Sequence, residues 1–147
     1  MPIDQRKDTA VTPTIVVGFI NSPEGKAALA AAIEEAERRQ AGIVLVNSSR
    51  GGDEDEEAFL SRTDELERLS DELAAKGLNI EVLELVRGND PVDDLLDVAN
   101  ERDAALIVIG LRRRSKVGKM LLGSNAQSIL LAADCPVLAV KAPAGDS

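Results

Sequence analysis

Residues able to do chemistry gather in one stretch of this chain, Gly110–Asn125, which reads Gly-Leu-Arg-Arg-Arg-Ser-Lys-Val-Gly-Lys-Met-Leu-Leu-Gly-Ser-Asn. It holds Arg112, Arg113, Arg114, Lys116 and Lys119, in a chain whose net charge is −9. The stretch follows an apolar run, Ala104 to Ile109, and precedes an apolar helical pattern, so it joins a strand end to a helix start. Open parallel sheets take anionic ligands at such places, because a helix N-terminus presents unpaired N–H groups and partial positive charge. Gly110 is expected to end the strand and admit a ligand close to the backbone. Gly123 and Ser124 are expected to open the helix. Ser124 can cap it, and its hydroxyl and N–H, with the Asn125 N–H, can turn toward a phosphate. The plainer reading, a helix cap beside a solvated basic loop, stays open, since runs of charge commonly face water.

Other chemistries are excluded by what the chain lacks. It has no histidine, which removes Ser-His-Asp and Cys-His catalysis and His-ligated zinc. Cys135 is the single cysteine, so no intrachain disulfide forms; in Asp-Cys-Pro-Val, before an apolar strand, it reads as a small core residue rather than a reactive thiol. A Walker A loop fails, because Gly110 and the Gly118-Lys119 pair are too far apart and Met120 stands at the hydroxyl position. The first strand leads into Gly18-Phe-Ile-Asn-Ser-Pro, not a dinucleotide fingerprint. No residue has a clear claim to be a general base, so no catalytic residue and no metal site are assigned. Phe19 and Phe59 are the only aromatics and the pI is near 4.5, which argues against nucleic acid as a partner. No apolar run has transmembrane length, and Met1 to Pro13 lacks the apolar segment of a secretory signal. The expectation is a cytoplasmic protein with no membrane partner.

At 147 residues the chain fits one domain with a real core. Residues 1–12 read as a disordered tail and 143–147 as a C-terminal tail. Thr14–Ile20 is an apolar, β-branched run, hence a buried strand. Ser22, Pro23 and Glu24 start a helix that continues to about Gln40, with Ala28, Leu29, Ala32, Ile33 and Ala36 on its inner stripe. Ile43–Val46 is the second strand, and Ser48–Glu57 a mobile loop. A helix over Ala58–Lys76 stops at Gly77. A third strand spans Ile80–Val86. Asn89 or Asp90 caps a third helix whose buried side carries Val92, Leu95, Leu96 and Ala99. Ala104–Ile109, Ser124–Ala133 and Val137–Lys141 complete the alternation as strand, helix and strand. Continuous apolar strands separated by amphipathic helices predict an α/β fold with a mostly parallel sheet covered on both faces.

Several phrases carry a resemblance. Gly110, Gly123 and Ser124 match the pattern G-x2-G-x9-G-[ST], with Arg113 at the second glycine. Val16-Val17-Gly18 runs into Asn21-Ser22-Pro23. Arg87-Gly88-Asn89-Asp90-Pro91, Leu106-Ile107-Val108-Ile109-Gly110 and Cys135-Pro136-Val137-Leu138-Ala139-Val140 follow. In these, and in its length and order of elements, the chain over about residues 13–142 resembles the universal stress protein family.

The resemblance implies a single open five-stranded sheet of order 3-2-1-4-5, Rossmann-like and akin to the adenine nucleotide alpha hydrolases. It implies a stress-response module with a crevice for ATP or AMP, and Mg accompanying ATP. Gly110, Gly123, Ser124 and Asn125 would hold phosphates through backbone N–H groups. Arg113, with Arg112 or Arg114, would add charge. Ile20 and Val46 would pack against the base, with Asn47 beside them. Two departures from the pattern alter the site. Ile20 stands where the family usually has an aspartate that contacts the nucleoside end, and isoleucine accepts no hydrogen bond. Arg113 carries a Cβ where the second glycine lets backbone and phosphate approach; a positive φ there would be strained, whereas its guanidinium could grip a phosphate directly. The alternative is a family member that binds no nucleotide, acting as an interaction module whose Arg112–Arg114 loop contacts an acidic protein partner. Slow ATP hydrolysis is the most enzymatic activity the residues support. The family further implies a homodimer through strand 137–141, an apolar sheet edge that tends to find a partner.

Overall fold

A computed structural model of the chain describes residues 12–19, 23–48, 56–85, 90–111 and 123–142. Strands and helices alternate as β1 (Thr14–Phe19), α1 (Pro23–Arg39), β2 (Gly42–Ser48), α2 (Glu56–Ala75), β3 (Ile80–Leu85), α3 (Pro91–Glu101), β4 (Leu106–Leu111), α4 (Ser124–Ala132) and β5 (Val137–Lys141). The sheet order is β3-β2-β1-β4-β5 and every pairing is parallel. This is the strand order that the family resemblance implies and the parallel pairing that the apolar strand runs predict.

Alternation along the strands divides the core into two layers. Ile15 and Val17 of β1, with Ile43 and Val108, meet the alanine stripe Ala28, Ala32 and Ala36 of α1, all of it closed to solvent or nearly so. Val16, Val44, Val46, Ile107 and Ile109 point to the other side, where α3 places Val92, Leu95 and Val98 and α4 places Ile129. Each fully buried aliphatic side chain contributes on the order of 2 kcal/mol. Because β3 lies beyond β2 while β4 lies on the other flank of β1, the direction of winding reverses between β1 and β4. That reversal opens a crevice at the carboxyl ends of these two strands.

Helix ends differ from expectation in instructive ways. The expected glycine stop is present: Gly77 has φ 83° and the Leu78 N–H donates to the Leu73 carbonyl at 2.8 Å. The same closure ends α1 and α3 without glycine. Gln40 and Asp103 take φ 54° and 55°, and the Ala41 and Ala104 N–H groups donate to Ala36 and Ala99. The bond from Ala104, with that from the Ala105 N–H to the Thr14 carbonyl, explains why β4 begins at Leu106 and not at Ala104. At its other end β4 runs past the apolar run to Leu111, since Gly110 and Leu111 pair with Val140 and Lys141 of β5. Gly110 therefore lies within the strand rather than ending it. Asp90 caps α3, its Oδ1 accepting from the Val92 N–H at 2.8 Å. The expected Ser22 cap, the segment 49–55 and the tails 1–11 and 143–147 lie outside the described residues.

Gly110 is required by packing. A Cβ built on it would lie 2.6 Å from the carbonyl carbon of Glu24 in the first turn of α1. Backbone meets backbone there, and neither side can yield by a rotamer change. Gly110→Ala should therefore destabilise the fold by about 2 kcal/mol or more; urea denaturation measures this, and a midpoint equal to that of the parent would refute the packing account.

Candidate functional site

The crevice at the β1–β4 reversal encloses a cavity of about 150 Å³. Its floor is Gly18 of β1, Val46 of β2 and Ile109 of β4, near the carboxyl ends of their strands on the face covered by α3 and α4. Val92 and Leu95 of α3 form one wall, and Asn125, Ala126 and Ile129 of α4 the other. Glu24 and Gly25, from the first turn of α1, stand at the side next to Gly110. A Cβ on Gly18 would sit 3.2 Å from Leu95 Cδ2, so the bare strand lets Leu95 lie close over the floor. The cavity is thus aliphatic below and polar at the helix ends.

Three helices begin around this space, α1 with Glu24–Gly25, α3 with Pro91–Val92 and α4 with Asn125–Ala126. First-turn N–H groups have no carbonyl within their own helix to bond, and their summed dipoles favour an anion. On α3 the Asp90 side chain takes one of these donors. On α4 no side chain does so. Gly123, rather than Ser124, occupies the N-cap position, in extended backbone with φ −70°, and no side-chain hydrogen bond caps the helix. The expected capping role of Ser124 is thereby replaced: Ser124 is the first helical residue and exposed. A Cβ on Gly123 would meet nothing within 4 Å. Neither backbone conformation nor contact within the described residues asks for glycine there.

Of the residues singled out from sequence, Val46, Gly110 and Asn125 line the cavity together, and Gly123 and Ser124 adjoin it at the start of α4. Ile20 and Arg113, with the neighbouring Arg112 and Arg114, lie outside the described residues. Asn47 turns to the opposite side of the sheet from Val46, as strand alternation demands. Its Nδ2 donates to Glu84 Oε1 at 3.2 Å, so only its main chain can serve the crevice. Sequence reasoning missed Glu24, Leu95 and Ile129 as cavity residues. Their signal was there in helical periodicity, which marked Leu95 as buried but not as bordering a space.

A doubly wound parallel sheet with a partly apolar crevice at its winding reversal, ringed by helix N-termini, defines an open α/β ligand-crevice domain. The comparisons narrow this class. The model of the universal stress protein family matches residues 12–141, and the chain belongs to that family. A universal stress protein of Mycolicibacterium smegmatis is 42% identical over 127 residues, covering 86% of this chain and 96% of the relative. A universal stress protein from Archaeoglobus fulgidus, solved in complex with dAMP, superposes with a TM-score of 0.64 at 32% identity, over 88% of this chain and 98% of that one. A universal stress protein solved in complex with cAMP gives a TM-score of 0.67 at 25% identity, over 90% and 98% of the two chains.

Among the described residues no helix is long and apolar enough to cross a membrane, and no group of three or more carboxylate or cysteine side chains could hold a metal ion. Cys135 lies half-buried at the foot of β5, packed against the α3–α4 layer, and burial together with the nearby Asp134 charge pushes its thiol above the ordinary value. At neutral pH it is therefore a thiol and not a thiolate. Alkylation by iodoacetamide should stay slow at pH 7 and accelerate only above the usual thiol range of about 8.5; rapid labelling at pH 7, followed by mass spectrometry, would contradict this.

Proposed function

We propose that this universal stress protein is a cytoplasmic stress-response module whose crevice binds an adenine nucleotide weakly. The observation that carries the reading is the pairing of an aliphatic cavity with the N-terminus of α4, where the N-cap residue Gly123 supplies no side-chain cap. The base would lie against Val46, Ile109 and Leu95, with Ile20 supplying a further apolar contact. The phosphate would sit at the start of α4, taking N–H bonds from Ser124 and Asn125, close to the backbone of Gly110, with Arg113 adding charge. The two relatives solved with dAMP and cAMP lend support. With ATP, Mg would enter on the phosphates themselves. Slow ATP hydrolysis is the most that is proposed, since Glu24 is the sole carboxylate among the described residues that line the crevice.

Weak binding follows from Ile20, which accepts no bond from ribose or base. Calorimetry with ATP, ADP, AMP and cAMP at modest salt should give a Kd on the order of 0.1 mM for the best of them. Gly18→Ala narrows the floor beneath Leu95 and should weaken that binding, with the fold retained because the flexible Leu95 tip can shift. Absence of heat and of thermal shift at millimolar nucleotide would overturn the reading. It would favour instead a nucleotide-free interaction module that meets an acidic partner through Arg112–Arg114.

The module is further read as a homodimer through Val137–Lys141. β5 is the outer strand of the sheet next to β4, and Val137, Leu138, Ala139 and Val140 are only half-buried. An edge of that kind favours pairing with a second copy. Light scattering at tens of micromolar, a range on the order of that at which exposed edges associate, should return twice the 15.6 kDa chain mass; a monomer mass would exclude this interface.

A further inference from the structure

The end of β2 carries a buried polar group that the crevice does not use. Asn47 is 7% exposed, and follows Leu45 on a sheet face otherwise filled by Leu66, Leu69 and Val82. Its Nδ2 donates to Glu84 Oε1 at 3.2 Å, and Glu84 is exposed on the outer strand β3. The two residues are direct neighbours in the β2–β3 register, and Phe19 of β1 is the neighbour of Asn47 on the other side. One rung therefore crosses three strands, one residue beyond the Gly18–Val46 rung that floors the cavity.

We infer that Asn47 and Glu84 form a clasp on the back of the sheet that holds the Val46 end of β2 in position for the ligand. The inference rests on the nucleotide reading above and deepens it by naming a positioning pair outside the crevice. A buried amide must keep a partner, and this register supplies one in Glu84. A slip of one residue would carry Asn47 to the cavity face and part it from Glu84. The bond to a carboxylate is stronger than one between neutral groups, so it can hold an outer strand that has a neighbour on one side only. Asn47 touches no ligand in this arrangement. It acts through the backbone of Val46.

Three variants test the clasp. Glu84→Ala removes the acceptor from an exposed position and should leave the chain folded. Glu84→Gln keeps an amide oxygen in the same place. Asn47→Leu removes the donor and fills the same space with carbon. In the ligand-free chain, hydrogen exchange at the Val46 and Asn47 amides should rise about tenfold in Glu84→Ala and Asn47→Leu, with exchange in β4 unchanged. The Kd for AMP should weaken by about the same factor, and Glu84→Gln, whose neutral amide oxygen accepts a weaker bond, should fall between the parent and Glu84→Ala in both measurements. Exchange equal to the parent in Glu84→Ala would overturn the clasp. Faster exchange with an unaltered Kd would confine the pair to strand register and overturn its positioning role. Should the parent itself bind no AMP, the nucleotide reading falls together with the positioning role, and exchange alone decides whether the clasp exists.

Discussion

The contact on which the crevice depends is the seating of the first turn of α1 on β4 at Gly110. A side chain at this position would run into the Glu24 backbone, so helix and strand meet without one between them. α1 follows β1, and β4 is paired to β1, so the contact closes a loop of constraints around the winding reversal. The N-terminus of α1 is thereby held beside the end of β4, and Glu24 and Gly25 are brought to the edge of the cavity. Were this approach a few tenths of an ångström longer, Val17 and Val108 would lose close packing with the alanine stripe beneath, because an interior at crystal density has no slack to absorb it.

This gives Gly110 two readings that a sequence motif merges into one. The motif assigns the glycine to the ligand, and the structure shows a demand that exists without any ligand. Gly123 presents the opposite case. Nothing in the described chain occupies the space where its Cβ would be, and its backbone is open to any residue. A glycine demanded by the fold and a glycine left free by it stand at the two ends of the same motif. For the free one, packing among the described residues supplies no reason.

Much of the fold was legible from the chain alone. Runs such as Ile15-Val16-Val17 and Leu106-Ile107-Val108-Ile109 are apolar without alternation because both faces of the sheet are covered, and such runs read as strands wherever they fall. The ends were less legible. Gln40 and Asp103 terminate helices in the left-handed conformation that only Gly77 announces by residue type. The edges of β4 were set by hydrogen bonds to α3, β1 and β5, which no local pattern encodes. Buried polar groups escaped for a related reason: Asn47 and Asp94 are 7% and 8% exposed, yet their types place them on the surface in any reading by composition. The family resemblance pointed to Val46, which lines the cavity, while the turning-away of Asn47, its neighbour, follows from strand alternation and needed only to be drawn.

The residues of the crevice fall into two groups under different constraints. Val46, Leu95, Ile109 and Ile129 belong to the continuous core between the sheet and α3–α4. Each is held by folding whether or not a ligand binds, so an apolar surface suited to a flat base persists at no added cost wherever this fold persists. Glu24, Gly25 and Asn125 form the second group, brought to the cavity by helix starts rather than by the sheet core. Ile20 follows the last residue of β1 and Arg113 the last residues of β4, and it is at these two positions that the chain departs from the family pattern. The apolar lining of the crevice is thus held by folding alone, in a chain 42% identical to a relative of the same family.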